Sequence, residues 1–103
     1  MEMGDLEMQF HEEMLSIYRC ALEECAYNAT RFLQLVTTQG GLQAAKTLLH
    51  ATGLSDGFVA LWQHGRLDLT MEALVLKPPW SNLFTEEELG IARKRLEDLE
   101  YKP

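Results

Sequence analysis

The chain has 103 residues, enough for one domain and too few for a second core. Its 47% hydrophobic and 24% charged residues exclude a disordered chain, and its two cysteines, Cys20 and Cys25, are too few for a disulfide-built secreted fold. The net charge of −7, from 16 acids against 9 bases, works against phosphate backbones and anionic lipid surfaces.

The acidic start, MEMGDLEMQFHEEM, lacks the basic opening and continuous apolar core of a secretory leader. No apolar run approaches the roughly 20 residues that span a bilayer. The expected location is cytoplasmic, with no membrane partner. Residues 1–9 read as an extension free to fray, and residues 10–103 as the body of the domain.

From there Leu6, Phe10, Met14, Ile17, Tyr18, Ala21, Leu22 and Cys25 recur at three- and four-residue intervals, opposite Glu12, Glu13, Ser16, Arg19, Glu23 and Glu24. That spacing predicts an amphipathic helix over about residues 6–26. Asn28 reads as the N-cap of a second helix carrying Ala29, Phe32, Leu33 and Val36. Gly40 and Gly41 stop it, since glycine takes the left-handed conformation readily. Leu42, Ala45, Leu48 and Leu49 restart the pattern until Gly53. Ser55 caps a short helix with Phe58, Leu61 and Trp62, closed near Gly65. Asp68 or Thr70 caps another with Met71, Leu74 and Val75, and Pro78 and Pro79 forbid its continuation.

The sharpest local signal is the last. Thr85 and Glu88 have the spacing of a capping box, with Phe84 and Leu89 as its hydrophobic staple. Leu89, Ala92, Leu96 and Leu99 carry the apolar face onward. The one strand candidate, ALVL at 73–76, is preceded by Thr70 and Glu72, which favour a helix start. The chain therefore reads as an all-α, single-domain bundle of about five to six helices, the first and last longest.

Familiar chemistry is missing. His11-Glu12 opens like a zinc-protease helix, but Leu15 stands where the second histidine is required. Cys20 and Cys25 lie roughly 140° apart around one helix and have no second ligand pair. No histidine has a glutamate three residues before it, and no phosphate loop, dinucleotide fingerprint or nucleophile elbow occurs. Neighbouring acids such as Glu12-Glu13 and Glu23-Glu24 do not face one another on a helix. No catalytic residue, metal or cofactor is expected.

Binding remains. The segment SDGFVALWQHGRLDLTMEALVL gathers Trp62, Arg66, Asp68 and Glu72. Arg66 and Asp68 have the spacing for a charge-assisted hydrogen bond that fixes the connection, while Trp62 and Arg66 are residue types favoured at binding hot spots. Trp80, behind the proline pair, reads as a plug under a loop or, if exposed, as a handle for a partner. NATRFLQLVTTQGGLQAAKTLL has the outline of a helix-turn-helix unit, but its second helix offers only Gln43, Lys46 and Thr47 to DNA. Only Arg93, Lys94 and Arg95 cluster among the bases, and acids surround them. A non-enzymatic protein-interaction or regulatory module leads, with a protein partner or self-association. A nucleic-acid-associated accessory protein of bacterial defence or gene control is second, and an enzyme without a recognisable motif third.

The strings YNATRFLQLV, GGLQAAKTLL, SDGFVALWQHGRLDLTMEALVL and LFTEEELGIARKRLE resemble a family of small bacterial helical proteins without an assigned activity. The likeness runs from about Met14 onward. It implies a bacterial-type origin and one complete folding unit, and it brings no catalytic residue.

Overall fold

The computed structural model describes residues 2–101, with side chains from Asp5 onward; Met1, Lys102 and Pro103, at the ends of the expected domain, lie outside the described residues. These residues form six α-helices and no strand: α1 (Glu2–Cys25), α2 (Thr30–Gln39), α3 (Gly41–His50), α4 (Asp56–Gln63), α5 (Met71–Val75) and α6 (Glu86–Asp98). Two 3₁₀ turns, Leu67–Leu69 and Trp80–Leu83, lead into α5 and α6. α1 with 24 residues and α6 with 13 are the longest, as the sequence predicts. The all-α bundle is the fold.

The core forms around Phe10, which is fully buried with Met14, Val36, Ala44, Ala45 and Val75. Its ring meets Phe84 edge-on at 5.5 Å and Trp80 at 5.9 Å, the tilted geometries that aromatic quadrupoles prefer. α1 starts at Glu2, before the expected Leu6. Leu6 lies one turn upstream of Phe10 on the same face and packs on this core, so the helix extends through it. α5 sits at the centre: all five of its residues are buried, which explains why MEALV carries no amphipathic stripe.

Local signals account for most boundaries. The Ser55 and Thr70 hydroxyls accept from Phe58 N–H and Ala73 N–H, capping α4 and α5. Asp68 sits inside the 3₁₀ turn and is not a cap. Thr85 and Glu88 make both bonds of the capping box. Asn28 departs from expectation. Ala29 is the N-cap residue of α2 and provides no side-chain bond, while the Asn28 side-chain oxygen Oδ1 accepts from the Tyr18 hydroxyl at 2.7 Å.

The two glycines between α2 and α3 do different work. Gly40, at φ 86°, makes the turn. Gly41 does not stop a helix but opens α3, and it is buried against α1. Its N–H donates to His11 Nδ1 at 2.9 Å, and a Cβ placed there would lie 2.6 Å from His11 Cα. The helices cross so closely that only glycine fits. Gly41→Ala is expected to destabilise the fold by about 1–3 kcal/mol, the usual range for overpacking. Gly90→Ala, in open space inside α6, is expected to gain about 0.5–1 kcal/mol from helix propensity. Thermal unfolding of both variants checks this pair; a neutral Gly41→Ala would contradict the close crossing.

Candidate functional site

Between α1, α2, the 51–55 loop and α4 the chain leaves an open cleft of about 630 Å³. Its walls carry Ile17, Tyr18, Tyr27, Phe32, Leu35 and Phe58. They come together because α2 leaves α1 through a short turn, while α4 returns to pack Leu61 against Ala21 and Cys25. The mouth is polar. Arg31 and Asp56, with side chains 92% and 81% exposed, face each other at 3.6 Å, a pair worth about 0–1 kcal/mol in water. Leu54 stands half-exposed beside them.

Glu72 also lines this cleft and is 3% exposed. Its Oε2 accepts from Arg95 Nη1 at 3.0 Å. The same guanidinium also donates to the carbonyls of Leu48 and Leu49 at 3.1 Å and of Ala51 at 2.9 Å. Arg95 thus caps the C-terminus of α3, where unpaired carbonyls concentrate partial negative charge. Burial pushes the Glu72 carboxyl up, against its own N–H and Arg95, which pull it down.

A second polar cluster ties α3 to α6. Glu88 Oε1 accepts from Lys46 Nζ at 2.8 Å and from Thr85 N–H at 2.9 Å, and His50 Nε2 lies 2.9 Å from Oε2. The Lys46 ammonium also sits 5.1 Å over the Phe84 ring. Burial opposes the Glu88 charge, yet Lys46, the Thr85 N–H and His50 together hold its carboxyl down to about 2.

The residues singled out in the sequence divide. Arg66 and Asp68 form the expected bond as a fork, Nε to Oδ1 and Nη2 to Oδ2 both at 3.0 Å. Arg66 also reaches Glu24 on α1 at 2.6 Å, and its guanidinium holds the Asp68 carboxyl below the usual range. Trp62, 46% exposed, projects from α4. Glu72 is buried and turned to Arg95. Trp80 is half-buried against Phe10, as a plug. Among the described residues no group of three or more His, Cys, Asp or Glu side chains is placed to hold a metal ion.

Sequence reasoning missed Arg95 and the wider role of Glu88. Arg95 shares the apolar face of Ala92, Leu96 and Leu99, whereas Arg93 and Lys94 do not; a charge on that stripe was the available signal. Glu88 was read as a cap alone, because Lys46 and His50 lie about forty positions away and only the fold brings them close.

The Glu88 cluster carries a pH dependence of defined sign. Its folded value lies below the ordinary 4.5, so its contribution is present above about pH 5 and is lost as pH falls from 4.5 toward 2. Denaturant midpoints measured between pH 6 and pH 2 are expected to fall less steeply for Glu88→Gln than for the parent protein; equal slopes would contradict this role.

No family, curated protein or solved structure matches the chain.

Proposed function

We propose that this chain is a non-enzymatic, cytoplasmic protein-interaction module whose partner docks at the C-terminal end of α4, around Trp62 and the Arg66–Asp68 fork. The observation that carries the reading is the exposed Trp62 ring four residues before an arginine already held in place by Glu24 and Asp68. The Gly65 N–H donates to the Trp62 carbonyl and the Arg66 N–H to that of Leu61, so the turn that follows α4 is closed and the Arg66 backbone is fixed at the end of the helix. Ordering an arginine before binding lowers the entropy cost of contact, and Trp and Arg are the commonest anchors at such sites.

The electrostatics favour a protein over a nucleic acid. Arg95 is spent inside the fold, which leaves Arg93 and Lys94 as the exposed part of the basic cluster. Lys46, the one lysine or arginine of the would-be DNA-reading helix, is spent on Glu88. Among the described residues no helix is long and apolar enough to cross a membrane.

Affinity capture from host lysate with the parent protein and Trp62→Ala tests the proposal. The bound protein is expected to survive nuclease and to fall by about tenfold or more with the variant, the loss typical of a hot-spot anchor. Thermal stability should change by less than about 1 kcal/mol, since the ring is half-exposed. Capture lost on nuclease treatment, or unchanged in Trp62→Ala, would overturn it.

A further inference from the structure

We propose that the cleft between α1, α2 and α4 is a binding site for a small molecule with an aromatic or aliphatic body and an amine head, the ammonium meeting the buried Glu72 carboxylate. The proposal is independent of the Trp62 surface. A volume of about 630 Å³ lies within the roughly 300–1,000 Å³ of small-molecule sites. The aromatic walls suit an apolar body or the face-on approach of a cation.

The choice of head group follows from what is buried and what lies at the rim. The buried charge that lines the cleft is Glu72. Arg95 donates to its Oε2, and Oε1 is assigned as the acceptor for the ligand. Arg95 does not cancel the carboxylate alone, because it also serves three carbonyls at the α3 C-terminus, itself partly negative. Residual negative charge there favours a second cation. The upward push that burial gives the Glu72 carboxyl is relieved by such a partner. Arg31, the base that would favour an anion, stands in solvent opposite Asp56, where its field is screened. Thr70, also lining the cleft, has its hydroxyl committed to the Leu67 carbonyl and the Ala73 N–H.

Benzylamine, benzyl alcohol and benzoate share one ring and differ in the head, and they are the probes. Binding is read from NMR shifts of the Tyr18, Tyr27 and Phe58 rings. Benzylamine is expected to bind tightest and benzoate weakest. Glu72→Gln, which keeps an acceptor for Arg95, should cut the preference for amine over alcohol by about tenfold, as expected for loss of a charge-assisted hydrogen bond. Asp56→Asn should leave that preference intact. Gly57→Leu should abolish binding of every probe, because a Cβ at Gly57 meets only the Tyr27 ring at 3.8 Å and the larger side chain fills the cleft. Should Glu72→Gln fail to fold, the probe order in the parent protein and the Gly57→Leu block still decide. Equal or tighter binding of benzoate, no ring shift with any probe, an unchanged preference in folded Glu72→Gln, or loss of preference in Asp56→Asn would each overturn the proposal.

Discussion

Arg95 leaves α6 and ends at the C-terminus of α3, where one guanidinium meets three backbone carbonyls and the Glu72 carboxylate of α5. Taking a charge of this kind out of water costs several kcal/mol. Here the cost is offset by four hydrogen bonds, two of them through each terminal nitrogen, and by the negative end of a helix dipole. A guanidinium suits the task because its planar donors reach several acceptors at once, which an ammonium cannot reproduce. The Leu48 and Leu49 carbonyls, part-buried at this junction, would otherwise lack a protein partner, and an orphan kept from water costs about 1–3 kcal/mol.

The rest of the arrangement depends on that junction. α5 is too short to hold its place by its own hydrogen bonds; it is fixed by burial of all five residues and by the bond from Glu72 to α6. With α5 fixed, Glu72 lines the cleft, and Arg66, at the start of the 3₁₀ turn before α5, reaches Glu24 on α1. The second cluster, Lys46 and His50 on Glu88, closes the same α3–α6 contact about two turns earlier along α6. Apolar packing around Phe10 supplies the bulk of the stability. The polar contacts select one placement of α6 against α3, because a shift of either helix would leave buried groups without partners.

The fold was largely legible because its signals are local. The three- and four-residue rhythm of α1, the Ser55 and Thr70 caps, and the Thr85–Glu88 box each concern residues within a turn or two of one another. Asn28 was misread as a cap because its competitor, the Tyr18 hydroxyl, lies ten residues away. Gly41 was read as a stop because sequence shows its freedom and not the His11 backbone pressed against it. The site was less legible for the same reason. The Arg66–Asp68 fork spans two residues and was anticipated, whereas Arg95 with Leu48, Leu49 and Ala51 and Glu88 with Lys46 span more than thirty. Glu72 was grouped with Trp62, Arg66 and Asp68 as a candidate for partner binding, and the apolar run around it was the sign that it would be buried.

The dependence of the fold on the Glu72–Arg95 pair is tested most directly by a double-mutant cycle in denaturant with Glu72→Ala, Arg95→Ala and the double variant. Arg95→Ala alone should cost about 3–5 kcal/mol, the usual penalty for breaking a buried pair. The double variant should cost less than the two single changes added together, by about 1–3 kcal/mol, the range found for directly coupled residues. Single costs that simply add to within about 0.5 kcal/mol, or an Arg95→Ala variant as stable as the parent protein, would contradict the account.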